Sequence, residues 1–194
     1  KDSVCQKRFL KNTDRSNSLW MTPIEGSKAL FVTEDPLDAI AHSQLFPGAR
    51  YAYLCTGGTS TKAQREMIHS FSQKFKLPII LGNDNDLAGQ LENFKLAYHT
   101  ANIEYAINSK TQRVLLTVNG AEREWGKDEI VAALQAVMKQ RPNMILSIPW
   151  AKDWNDDLRS SKKSISLRIA ENMARVQIET TKSEQRGMIA GKLP

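Results

Sequence analysis

The sequence is short of nearly everything that would mark a secreted, membrane-bound or zinc-bound protein. It holds two cysteines, Cys5 and Cys55, far apart and in no CxxC pair, which argues against a disulfide framework and a zinc cage. No run of about 18 apolar residues occurs, and the opening KDSVCQKRFLKN lacks the apolar centre of a signal peptide, so a membrane span or secretion has no support. A reducing, cytoplasmic setting is the expectation. There is no GxxxxGK[ST] phosphate loop. His42, His69 and His99 all fall within predicted helices, away from strand ends, which argues against histidine catalysis. The first residue is Lys rather than Met, and we expect a piece cut from a longer chain.

What is present suffices for one well-buried domain: 194 residues, 41% of them hydrophobic. The formal charge is +6, from 27 basic and 21 acidic residues, and most of the excess lies in the tail. From Arg159 onward eight Lys or Arg, among them Lys162, Lys163 and Arg168, face only Glu171, Glu179 and Glu184. A basic arm on a nearly neutral domain suits nucleic-acid phosphates; it also reads as a solvated helix with a disordered end.

Apolar strands alternate with amphipathic helices, the pattern of an α/β domain with a largely parallel sheet. KALFVTE (28–34) reads as a strand, and Pro36 opens the helix that follows, ending at Pro47-Gly48. RYAYLCTGG is a second strand. STKAQREMIHSFSQKFK is a helix with Ser60 or Thr61 as N-cap and Met67, Ile68, Phe71 and Phe75 on one face. LPIILGNDND is a third strand and its loop, and AGQLENFKLAYHTA a third helix. Past Ala101 the rhythm changes: IEYAIN and RVLLTVNGAEREW read as strands with a type I′ turn at Asn119-Gly120, then a helix, then the strand NMILSIPW. The expected division is an extension over 1–27 with no clear periodicity, a domain over 28–158 interrupted by a hairpin-plus-helix insertion over 102–142, and a basic helical tail over 159–194, where Ile165, Ile169, Met173 and Val176 share a helical face.

Ligands of an open parallel sheet gather at the C-terminal ends of its strands, and four polar clusters fall there: Glu34-Asp35 with Asp38; Thr56-Gly57-Gly58-Thr59-Ser60; Asp84 and Asp86; and Lys152-Asp153 with Asn155-Asp156. Carboxylates from separate strand ends repel one another, and a hard divalent cation resolves that conflict. Each cluster alone also has a structural reading. Asn83-Asp84-Asn85-Asp86 serves as a turn and helix cap, and KDWNDD as a solvated loop. An EF-hand is excluded by position: counted from Asp84, Ala88 and Lys95 occupy places that need oxygen ligands. Trp150 and Trp154 flank the last cluster, placed to stack on a base or to pack on the sheet edge.

In order and spacing these motifs resemble the Toprim family, the metal-binding module of bacterial primases, type IA and type II topoisomerases, recombination proteins and some nucleases. ALFVTEDPLDAIA resembles its first motif, with Glu34 and Asp38 as the acids; YAYLCTGGTST its strand and Gly-Thr-Ser loop; IILGNDNDLAGQ its DxD motif; and IPWAKDWNDDL a primase segment that closes the site. The Toprim-like domains of DNA primases and of primase-related mobilisation proteins of plasmids and conjugative elements look most similar. The resemblance implies a Rossmann-like sheet of about four mostly parallel strands flanked by helices. It also implies Mg²⁺ (or Mn²⁺) on Glu34, Asp84 and Asp86, with Asp38 and Asp153 as further metal-site acids, and primase-like nucleotidyl transfer with single-stranded DNA and nucleotide triphosphates as partners. Thr59, Ser60, Lys152, Lys162, Lys163 and Arg168 would contact phosphate or template. Other domains of the same longer chain, or replication and mobilisation proteins, are further expected partners. Strand cleavage of the nuclease or topoisomerase type and a non-catalytic nucleic-acid-binding module are the alternatives, and a receiver-like signalling domain fits the DxD with Ala-Gly poorly. In this sequence Asp35 stands where the family often has Gly.

Overall fold

In a computed structural model of the chain, residues 13–161 are described. Their centre is β2 (Ala29–Thr33), whose five residues are all buried. Such a strand must be covered on both faces, and the flanking strands and helices do so. It pairs in parallel with β3 (Tyr51–Cys55) on one side and β4 (Ile79–Leu81) on the other, and β4 pairs in parallel with β8 (Met144–Leu146). The sheet order is β1-β3-β2-β4-β8. Here β1 (Trp20–Met21), in a region without sequence periodicity, is a two-residue antiparallel edge paired with Tyr53-flanking Leu54 and Cys55. Two residues are too few to show a period.

Strand alternation divides the sheet into two cores. Leu30, Val32, Ala52, Leu54, Ile79 and Leu81 face one layer; Ala29, Phe31, Tyr53, Cys55 and Ile80 face the other. The second layer is made by α1 (Pro36–Leu45) and α5 (Trp154–Ser161), which pack on each other. KDWNDD is thus only partly loop: the helix begins at Trp154, whose indole is buried and donates to the Gly82 carbonyl at 2.8 Å.

The first layer holds α2 (Lys62–Phe75), α3 (Leu87–Ala97) and α4 (Lys127–Gln140). Thr61 and Gln64 close a capping box on α2, an arrangement that contributes about 1 kcal/mol. Of the face expected on α2, Ile68 is fully buried, but Phe75 is 37% exposed because the helix ends there, past the sheet. Residues 102–142 contain a meander, β5 (Ile103–Asn108), β6 (Arg113–Val118) and β7 (Ala121–Gly126), turning at Asn119 and Gly120, both at positive φ. This meander is no detached lobe. Val114 and Leu116 of β6, and Ile130 and Leu134 of α4, belong to the main core. Each such buried aliphatic contributes roughly 1.5–3 kcal/mol relative to exposure.

Candidate functional site

Four parallel strands end at one edge, which places their following loops together. Past Thr33 the chain runs into Glu34 and Asp35; Asp35 caps α1 by accepting from the Leu37 amide at 2.8 Å, and Asp38 sits buried in that helix's first turn. Past Leu81 comes Gly82-Asn83-Asp84-Asn85-Asp86. Asp86 caps α3, its Oδ1 accepting from the Gly89 amide at 2.9 Å, and the Gln90 side chain donates to the Asp84 carbonyl at 2.9 Å. Any side chain at Gly89 would collide with the Asp84 backbone. The DxD loop therefore lies directly on the first turn of α3. After β8, Asp153 Oδ1 accepts from the Asp156 amide at 2.8 Å at the start of α5. Since β2, β4 and β8 are neighbours, Glu34, Asp84 and Asp153 belong to three adjacent connections.

These connections are tied to one another. The Asn85 amide donates to the Lys152 carbonyl at 2.7 Å and its side chain to the Pro149 carbonyl at 3.1 Å. The Gly57 amide donates to the Glu34 carbonyl at 2.8 Å, and Asn155 Nδ2 donates to Asp38 Oδ1 at 2.8 Å. The edge is thus a braced set of loops, tied through backbone carbonyls and, between α5 and α1, through the Asn155 and Asp38 side chains.

Charge is concentrated there. The Asp84 carboxyl is pushed up to about 7, first by burial and then by repulsion from Asp38, Asp86, Glu34 and Asp153. Asp38 rises to about 6, by burial and by Asp153 and Asp35, against the stabilising hydrogen bonds of Asn155. Cations stand close among the described residues: Lys152 Nζ, largely exposed, lies 3.7 Å from the partly exposed Asp86 Oδ2, and Lys127 Nζ donates to Asn85 Oδ1 at 3.3 Å. Among the described residues no three His, Cys, Asp or Glu side chains converge as a ready ligand group. The donors nevertheless fit a hard cation. They are all oxygens, they repel one another, and Mg²⁺ characteristically takes one or two carboxylates and keeps several waters. The nearby Cys55 thiol is unsuited to either ligation or attack: it is free and buried, and burial pushes it up to about 12.

The other candidate residues are scattered in their fates. Thr59 is exposed beside Gly57 and Gly58, both at positive φ, where a Gly58 side chain would strike the Arg15 guanidinium. Ser60 turns inward instead: its amide and hydroxyl both donate to Glu92 Oε2, at 2.9 and 2.6 Å, because a buried carboxylate needs donors and Ser60 supplies two. Lys162, Lys163 and Arg168 lie outside the described residues. Trp154 packs on the sheet, whereas Trp150 is 71% exposed. His42 is buried and bonded to the Tyr53 hydroxyl at 3.0 Å; His69 stacks on His99 with ring centres 3.4 Å apart. His99 lies just past the end of α3 rather than within it.

The sequence reading missed the support beneath the DxD loop. Asn83, Gln90 and Asn93 are all at most 1% exposed. Asn83 Nδ2 donates to Asn93 Oδ1 at 2.9 Å, Asn93 Nδ2 to Gln90 Oε1 at 3.4 Å, and Gln90 onward to Asp84. Its one sequence signal was three amides at positions 83, 90 and 93, spaced like one helix face and its preceding loop.

Against known proteins, the family model described as Toprim-like matches residues 31–113. Neither a curated protein nor a solved structure gives a significant match.

Proposed function

We propose, from the match of residues 31–113 to the Toprim-like family model, that the chain has a metal-dependent, nucleic-acid-related function and carries out primase-like nucleotidyl transfer on single-stranded DNA. The observation that carries this reading is the gathering of Glu34, Asp38, Asp84, Asp86 and Asp153 within electrostatic reach at one sheet edge, with Asp84 pushed up to about 7 by the others and by burial.

Glu34, Asp84 and Asp86 would hold Mg²⁺ or Mn²⁺, and Asp38 and Asp153 would flank it. When bound, such an ion supplies charge neutralisation at phosphate oxygens and acidifies a 3′-hydroxyl. The chain's own part is positioning. Gly89 and Gln90 fix Asp84 from below, Asp86 is fixed by its cap to Gly89, and Asn155 orients Asp38. Lys152 would offer an exposed cation beside Asp86 for a triphosphate oxygen, and exposed Thr59 a hydroxyl. Lys162, Lys163 and Arg168 would hold the template strand by its phosphates. Among the described residues no helix is long and apolar enough to cross a membrane; work on DNA of plasmids or conjugative elements in the cytoplasm, beside replication or mobilisation proteins, completes the proposal.

The test offers wild type and Asp84→Ala a single-stranded template, labelled nucleotide triphosphates and Mn²⁺. Short new oligomers from wild type alone are the expected result. Loss of the template instead would turn the reading to a nuclease, and silence of both proteins alongside metal-insensitive stability would refute a working metal site.

A further inference from the structure

The segment 102–142 brings one cationic side chain to the acid loops. β7 runs into α4 at Gly126, and α4 packs along α3 and β8. Its first residue, Lys127, reaches the DxD loop: Nζ donates to Asn85 Oδ1 at 3.3 Å and to the Asn85 carbonyl at 3.4 Å. Asn85 is the residue between Asp84 and Asp86. Lys127 itself lies past residue 113, where the match to the Toprim-like model ends, so the family likeness does not supply it.

An ammonium has three N–H donors, and one drawn partly out of water needs a counter-charge or well-placed acceptors. Lys127 is partly buried and has little of either. Both its bonds are long for N–H···O, and both end on one neutral residue. Glu129, an acid in the same helical turn, is engaged by Arg113 at 2.9 Å and Arg123 at 3.6 Å. Among the described residues Lys127 forms no ion pair. The buried Lys95 shows the contrast, since it takes Glu92 at 2.6 Å. A lysine is a point charge on a flexible stem, suited to meeting a phosphate oxygen. We infer that Lys127 contacts a phosphate group of the substrate lying over the DxD loop, as a second cation beside Lys152. This rests on reading the strand-end acids as a metal-dependent nucleic-acid site, and not on primer synthesis. The phosphate belongs either to a nucleotide triphosphate or to a DNA strand.

The test measures binding by the full chain in Mg²⁺, with a nucleotide triphosphate and a single-stranded oligonucleotide as probes. Lys127→Gln keeps a donor for Asn85 and removes the charge; Lys127→Arg keeps the charge. Lys127→Gln is expected to weaken at least one probe by about ten-fold or more, the loss of one charge-assisted bond, and Lys127→Arg to recover most of it. The Mg²⁺ concentration that half-stabilises the protein in a thermal melt should not rise, because removing a cation beside carboxylates does not weaken their hold on a metal by charge. Lys127→Met repeats the measurement if the melt shows Lys127→Gln to be misfolded. Loss confined to the triphosphate assigns the contact to the nucleotide, and loss confined to the oligonucleotide assigns it to a strand phosphate. Unchanged binding of both probes overturns the proposal. So does a raised Mg²⁺ requirement, which would make Lys127 a positioning residue acting through Asn85, and so does wild type that binds neither probe. Wild type that binds a probe through Lys127 yet makes no oligomers upholds the contact and removes only the primase reading.

Discussion

Neutralising Asp84 by Asp84→Asn should stabilise the metal-free protein at neutral pH and do nothing for it at low pH. The Asp84 carboxyl stands at about 7 against an ordinary 3.8, which at 1.36 kcal/mol per pKa unit is roughly 4 kcal/mol of unfavourable interaction in the charged form. Asp84 is only partly buried, so solvent screening brings this to the order of 2 kcal/mol. The folded-state value lies above the unfolded one, so the unfolded chain releases its proton first as pH rises. The carboxyl's contribution to stability is therefore whole below about pH 4 and is lost as pH climbs to about 7. Asp38, pushed up to about 6, adds a contribution of the same sign. Urea unfolding of both proteins in EDTA from pH 4 to pH 8 should show the variant's advantage opening through that window. Millimolar Mg²⁺ should then restore stability to the wild type and not to the variant, because only a ligand bound to the folded state stabilises it. Parallel pH profiles for the two proteins would refute the argument that the acids strain one another.

Four further outcomes are expected. Glu92→Gln should destabilise by about 3–5 kcal/mol in urea unfolding, since Lys95, 2.6 Å from Glu92 and almost wholly buried, would lose its counter-charge. Gly89→Ala should abolish Mg²⁺-dependent stabilisation in a thermal melt while keeping the fold's circular dichroism, because its methyl pushes the Asp84 backbone off α3. Lys76→Gly should raise stability by about 1 kcal/mol, or roughly 2–4 °C in melting temperature, because Lys76 ends α2 at φ 55, where a side chain is strained. Asp157→Ala should cost about 1–3 kcal/mol in urea unfolding by orphaning the Trp150 and Ala151 amides.

The strand-end acids were legible because each sits just beyond an apolar run, and a run such as ALFVT or PIIL can only be a buried strand once helices alternate with it. What escaped the sequence is the company those acids keep, and α3 shows why. Its helical pattern was visible, but nothing in the pattern marked Gln90, Glu92, Asn93 and Lys95 as buried, and all four are. A polar face turns inward only when something covers it. That cover is the segment 102–142, whose function the sequence did not disclose. Lys95 lies over the Tyr105 ring at 5.1 Å, Phe94 approaches Trp125 with ring centres 6.2 Å apart, and α4 packs along α3. Under that roof the polar side chains had to find partners within the protein: Glu92 takes Ser60 and Lys95, while Asn93 and Gln90 form the chain of amides that reaches Asp84. The segment thus bears on the site by denying water to the helix on which the DxD loop rests, and its Lys127 Nζ reaches the Asn85 side chain in that loop at 3.3 Å. Ser60 looked like a phosphate contact for the same reason, since nothing local in GGTST reveals a carboxylate 32 residues away that claims its hydroxyl.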